Sequence, residues 1–438
     1  MTMLTRDESF ELLGGVLEKS EADHCTVRLS GSTGGNIRYA RNSVSTAGVT
    51  TNMSLSVQST FGQKTGSSSI NEFDEDSLTR AVSRSEELAR LAPENREFVE
   101  PLGPQRYQES NAYFESTAST TPERRTRAAA DSISVVRENG LVAAGFIQDS
   151  GGFRATRNSA GLFNYRRSSN VSFSVTVRTE DGTGSGWASR DYNDVSLLNT
   201  SDASRIASEK ASASANAVAL DPGDFTVILE PAAAHDLIRN MMFNFDARRA
   251  EEGRSFLSKG GGETKLGEKL MDDKVTIYSD HTHPDVPAAP WAGDGRPRAR
   301  TTWVENGVIR NLSYSRYWAR HKGVEATPRP ANIILDGSDT SLEDIIRDTQ
   351  RGILVTRLWY IRTVDPRTLL YTGLTRDGTF LIENGSVKHA VKNFRFNESP
   401  VAFLNSVDVL GEPVRFNGNF IPPMRVRDFS FTSLSDAV

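Results

Sequence analysis

Residues Phe225-Thr-Val-Ile-Leu-Glu-Pro231, with the stretch after them, constrain the fold more than any other part of the chain. Phe225, Val227, Ile228 and Leu229 read as a buried strand, Glu230-Pro231 breaks it, and Pro231 suits the first position of a helix. Leu237, Ile238, Met241, Met242 and Phe245 then recur at i, i+1, i+4, i+5 and i+8, which predicts a helix reaching about Ala250. His235, Arg239, Asn240 and Asn244 fall off that apolar stripe. The segment stands near the start of the second of two expected domains, 1–220 and 221–438.

The chain of 438 residues suits two domains of about 200, each able to bury a core of good size. Its 51 basic and 56 acidic residues give a net charge of −5, which argues against a general nucleic-acid binder. The single cysteine, Cys25, excludes an intramolecular disulfide and fits a reducing compartment. The charged start lacks a signal-peptide apolar run, and no apolar stretch approaches the length of a membrane span. A cytoplasmic protein is expected.

The first half reads as a duplicated unit of helix, antiparallel meander and helix, about 1–95 and 120–220. In the first copy, 5–20 predicts a helix, 26–30 a strand, Gly34-Gly35 a turn, and 36–44, 51–59 and a segment ending at Ile70 further strands. Asp74 or Asp76 caps a closing helix over 74–91. Arg38-Tyr-Ala-Arg-Asn-Ser43 returns as Arg154-Ala-Thr-Arg-Asn-Ser159, a shift of 116, and Met53–Val57 returns as Val171–Val175, a shift of 118. Gly66 matches Gly184. Shared meander grammar without common ancestry would explain the same landmarks. Asp181-Gly-Thr-Gly-Ser-Gly186 reads as a glycine-rich hairpin, since neither a following Lys-Ser/Thr nor a strand-to-helix turn makes it a phosphate loop.

The second half is mainly β with short helices over 315–322, 342–349 and 399–407. Asn306-Gly307 and Asn384-Gly385 each sit between alternating strands, the favoured type I′ hairpin signal, and Asn139-Gly140 offers a third instance. The fold class is therefore α+β, in two domains.

Several constellations invite chemistry. His281-Thr-His283 with Asp280 and Asp285 is the best metal-looking cluster: histidines at i and i+2 share a face if the segment is a strand, and otherwise it is a loop. His24 beside Cys25 is no nucleophile pair, because adjacent strand residues point to opposite faces. Arg38, Arg41, Arg154 and Arg157 recur in both copies, either lining a groove for a peptide or its carboxylate, or covering solvated strand faces. There is no Gly-x-Ser-x-Gly elbow.

The strand, the Glu-Pro break, the helix and the segment 246–257 resemble the TldD/PmbA family, the "modulator of DNA gyrase" proteins, regarded as zinc peptidases. The Glu-Asn-Gly hairpins add to the resemblance, which is strongest over 225–407. In the catalytic branch the helix carries His-Glu-x-x-x-His. Laid on this chain without gaps, those places hold Arg239, Asn240 and Asn244. Zinc takes imidazole, thiolate or carboxylate. Arg239 is a permanent cation. A unit charge pair at 4 Å is worth about 4 kcal/mol at an effective dielectric near 20, and repulsion from a divalent ion is about twice that. Asn240 cannot act as a general base. The cysteine that the catalytic branch keeps near its C-terminus is also missing over 400–438.

The resemblance therefore implies the PmbA-like (TldE-like) branch: a non-catalytic subunit without its own cofactor, paired with a TldD-like chain that holds the zinc. Such a pair would cleave unfolded or leader peptides. The resemblance also implies substrate binding by His235, Arg357, Tyr360 and Tyr371, or a dimer contact or aromatic core strand around the last three. Two other readings stay open. One is a metallopeptidase in its own right with an unrecognised metal site, for which His281 and His283 are the candidates. The other is a homodimeric peptide-binding or maturation factor. Nucleic acid and membrane are not expected partners.

Overall fold

The computed structural model describes residues 3–435, so the outermost positions of the two expected domains lie outside the described residues. The first copy of the repeated unit is α1 (Arg6–Leu17), β1 (His24–Ala40), β2 (Ser43–Phe61), β3 (Lys64–Ile70) and α2 (Glu75–Leu91). A linker holding the single-turn α3 (Glu115–Ala118) leads to the second copy: α4 (Pro122–Glu138), β4 (Val142–Asn158), β5 (Phe163–Arg178), β6 (Ser185–Tyr192) and α5 (Thr200–Ala213). All six strands form one antiparallel sheet in the order β3-β2-β1-β4-β5-β6. The first strands of the two copies pair with each other. Gly34 stands opposite Ser150, 116 positions later, so the repeat relates the sheet's halves by a local two-fold.

Strand alternation decides the faces. Val27, Leu29, Leu55 and Val57 pack under α1 and α2 against Leu13, Val16, Leu78 and Val82. Ile37, Tyr39, Phe173 and Val175 pack under α4 and α5 against Ile133, Val136, Ala203 and Ala207. Each fully buried side chain of this size contributes about 1.5–3 kcal/mol. The opposite face carries small polar groups, among them Ser30, Ser32, Asn52, Ser54 and Ser150.

Gly34-Gly35 is not a turn. β1 runs straight through it, and the chain reverses at Arg41 and Asn42, with φ of 49° and 57°. The glycines serve close approach instead. A Cβ on Gly35 would lie 2.2 Å from Cζ of Arg125, whose buried guanidinium reaches across β1 to Asp149 at 2.9 Å. The helices use the same device in both copies. A Cβ on Gly66 would sit 2.2 Å from the backbone nitrogen of Ala89 in α2, and one on Gly184 2.2 Å from the carbonyl of Ala211 in α5.

The second half holds two sheets. β7 (Gly223–Leu229) pairs in parallel with Arg351–Asp365 and antiparallel with Met424–Leu434. Those strands with Phe394–Glu398 and Leu370–Glu383 close into a ring, because Arg351–Asp365 also pairs with Leu370–Glu383. A smaller six-stranded sheet includes Ile277–Ser279, Thr301–Glu305, Val414–Phe416 and Asn419–Ile421. Both Asn-Gly hairpins form as expected, with φ of 50° and 76° at Asn306-Gly307 and 50° and 75° at Asn384-Gly385. Asn139-Gly140 is no hairpin: Asn139 caps α4, and Gly140, at φ 66°, turns the chain out of it.

α6 (Pro231–Met242) starts where expected and stops eight residues short of Ala250. The backbone at 245–247 bonds sideways to Ser313 instead: Ser313 N donates to the Phe245 carbonyl at 2.9 Å, and Ala247 N to the Ser313 carbonyl at 3.0 Å. Asp246 then caps a separate turn, Ala247–Glu251. Among the described residues no helix is long and apolar enough to cross a membrane.

Gly66→Ala should lower unfolding stability by about 2 kcal/mol or more, because helix backbone must move aside. Gly15→Ala, where a Cβ meets nothing within 4 Å, should leave it unchanged or raise it slightly; urea denaturation of the pair checks both. Cys25 is 1% exposed, and burial pushes its thiol up from the ordinary range. A thiol reagent at neutral pH should therefore modify the native protein at least about a hundredfold more slowly than the urea-unfolded chain.

Candidate functional site

β7 and α6 place the critical segment at the seam between the halves. Glu230, the N-cap of α6, accepts from Lys210 of α5 at 2.6 and 2.7 Å, and from Thr356 at 3.2 Å. The apolar stripe Leu237, Ile238, Met241 and Met242 faces the core. That leaves Arg239 exposed, its guanidinium 4.9 Å from the Phe243 ring centroid.

The three family-motif positions do not fit a metal. Arg239 carries a fixed positive charge into solvent, and Asn240 is partly buried beside it. Asn244 lies beyond the helix end and turns its amide back onto the Asn240 carbonyl at 2.9 Å. One guanidinium and two carboxamides offer neither a zinc donor set nor a base. Among the described residues no group of three or more His, Cys, Asp or Glu side chains is placed to hold a metal ion.

His281 and His283 do not share a strand face. The strand ends at Ser279, and Asp280 folds the next residues into a turn, accepting from Thr282 N at 2.8 Å. His281 is buried and donates to the Gln108 carbonyl at 3.0 Å, whereas His283 stacks on Phe420 with centroids 5.0 Å apart. The two rings thus serve different contacts.

The four residues expected to bind substrate are separated. His235 is 2% exposed and bonded on both ring nitrogens: Nδ1 donates to Asp236 at 3.0 Å, and Nε2 accepts from Asn419 at 3.0 Å. Arg357 is drawn into an ion pair with the buried Asp377 at 2.7 Å, over Trp187 at 4.7 Å, and burial pushes its guanidinium down from the usual range. Tyr371 is a core residue at 5% exposure. Tyr360 is 59% exposed at a strand irregularity, with φ 54°. None of the four lines the main cleft beside Arg239.

That cleft, about 520 Å³, lies between the outer face of β5 and the C-terminal half. Five arginines line it: Arg166, Arg239, Arg298, Arg329 and Arg415. They come from segments as much as 249 positions apart, so no sequence motif announced the cluster. One buried carboxylate, Asp191 of β6, shapes it. Asp191 accepts from Arg415 Nε at 3.0 Å and from the backbone nitrogens of Asn417 and Gly418 at 2.7 and 3.0 Å. The loop so held carries Asn419 to His235, which ties α6 to the same frame. Of the repeated arginines, Arg157 packs on Phe10 at 3.7 Å and Arg41 sits in a turn, while Arg154 stands on the polar sheet face.

Asp191→Ala should cost about 3–5 kcal/mol, because it strands a nearly buried Arg415 and two backbone donors. A lowered denaturant midpoint, with loosened protection of amides 415–419 in hydrogen exchange, is the expected outcome.

Comparison with known proteins places this geometry. The family model for the PmbA/TldA metallopeptidase C-terminal domain matches residues 222–433, that for domain 1 matches 25–89, and that for the central domain matches 116–215. A protein named "Metalloprotease" from Methanothermobacter thermautotrophicus is 26% identical over 216 residues, 45% of each chain. A "Metalloprotease TldD homolog" from Buchnera aphidicola is 23% identical over 285 residues, 56% of each chain. These alignments span about half the length of the curated relatives. The solved structure of TldE from Thermococcus kodakarensis superposes with a TM-score of 0.87 at 19% identity, covering 97% of this chain and 100% of that one. A Thermotoga maritima protein named for modulation of a DNA gyrase gives 0.87 at 17% identity, over 98% and 100%. With family models over both halves of its length and the fold in common, the chain belongs to the PmbA/TldD family of metallopeptidase-related proteins.

Proposed function

We propose that this chain is the non-catalytic, TldE-like subunit of a heterodimeric zinc peptidase that acts on unfolded or leader peptides. The observation that carries the reading is the content of α6 and its end: Arg239, Asn240 and Asn244 stand where a catalytic sibling keeps His-Glu-x-x-x-His. The partner, a TldD-like chain, supplies the metal and the base. This subunit supplies wall and binding surface. Its polar sheet face suits an extended chain with little demand on sequence. The outer edge of β2 over 43–54, which β3 does not cover, offers backbone groups for strand addition by substrate or partner.

The different contacts of His281 and His283 give less support to a metal site on that pair. The purified chain alone should contain less than about 0.1 zinc per molecule and show no peptide cleavage, since its motif residues offer no donor set. Mixing it with a His-Glu-x-x-x-His-bearing partner should give a complex with zinc and activity. Stoichiometric zinc on the lone chain, or a stable homodimer that ignores such a partner, would overturn the reading.

A further inference from the structure

The arginine cleft is unusual for what it lacks. Its lining holds five guanidinium groups and no carboxylate. Arg415 is neutralised from behind by Asp191, and Arg329 by Asp246 at 2.9 Å. Among the described residues Arg166, Arg239 and Arg298 make no ion pair. Nε of Arg298 is enclosed and has no hydrogen-bond partner.

A second observation comes from the strand register. Arg154 and Arg166 stand directly opposite each other on β4 and β5, on one face of the sheet. Like charges in that position repel. Burial, together with Arg154 and Arg298 nearby, pushes the Arg166 guanidinium down to about 10. An anion seated among these groups relieves the repulsion.

The surroundings select the anion. Ser168, Ser169 and Asn170 border both the cleft and a neighbouring polar trough over β1 and β4, lined by Ser30, Ser32 and Ser150 with Arg154 as its one charged group. A chain lying along the trough would meet hydroxyl and amide groups suited to a peptide backbone, and its end would enter the cleft. There the planar guanidinium fork matches a carboxylate bidentately. Nucleic acid is the poorer match: single strands need stacking platforms, and the only aromatic ring among the lining residues is Phe243.

We infer that the cleft is a carboxylate-binding site for an extended peptide, with Arg166, Arg239 and Arg298 supplying the charge and the serine-lined trough holding the neutral backbone. This rests on reading the chain as a peptide-handling subunit. It concerns binding by this chain alone, so it is tested without zinc or cleavage.

The test is fluorescence anisotropy on the full chain at low salt with an N-terminally labelled short acidic peptide. Its C-terminal amide and an amide with glutamine for glutamate complete the set. The acidic peptide should bind about tenfold or more tighter than the neutral one, and the amide arm reports whether the terminal or a side-chain carboxylate is read. Arg166→Gln with Arg298→Gln should remove about tenfold of affinity for the acidic peptide and leave the neutral one unchanged. Arg239→Gln, on an exposed side chain that folding does not need, should weaken it in the same direction. Arg84→Gln, on the far surface and paired only with Glu87, matches the charge change and should have no effect. Equal affinity for acidic and neutral peptides, no binding of either, stronger competition by oligothymidylate, or an unaltered Arg239→Gln would each overturn the assignment. Zinc and cleavage measured with the partner judge the subunit role separately.

Discussion

One carboxylate, Asp191, ties the two halves of this protein together beside the cleft. It sits at the end of β6, is buried to 9% exposure, and accepts from Arg415 and from two successive backbone nitrogens. A charge taken that far from water is tolerated only when its lone pairs are filled. Here every donor comes from the C-terminal half, so satisfying the charge and docking the halves are one event. The consequences spread from there. The loop at 417–419 is fixed, Asn419 reaches His235, and α6 is oriented with Arg239 outward. Lys210 on Glu230 and Ser185 on Asp377 repeat the device at two other points of the seam.

The apolar stripe of α6 packs the helix against the core and leaves Arg239 on its exposed side. There Arg239 joins a group of cations that the fold gathers from distant segments. A guanidinium carries a fixed positive charge and five donors, which suit it to holding an anion.

How much was legible varied with the range of the interaction. α6 could be read because its proline start and stripe are local. The Asn-Gly turns could be read because only certain residues tolerate positive φ in succession. The duplication appeared as repeated residues at near-constant shifts, and the sheet shows why: the copies pair through their first strands. Misreadings arose where a distant partner intervened. Gly34-Gly35 looked like a turn because the guanidinium of Arg125, which needs that space, comes from another helix. α6 ended early because Ser313, far along the chain, competes for the backbone at 245–247. Spacing alone left a strand or a loop open at His281 and His283, and the loop formed because Asp280 folds the segment into a turn.

The sequence by itself determined the class of fold, the family resemblance and the residue types that α6 carries off its apolar stripe, because these depend on residue identity and short-range periodicity. Tertiary structure alone decided which residues surround the cleft and which are held inside the protein. His235, Arg357 and Tyr371 carry suitable chemistry but are occupied by packing and internal bonds. Arg166, Arg298 and Arg415 look unremarkable in the chain and meet only after folding. The physical reason is that a side chain's availability depends on its burial and partners, and long-range contacts set both.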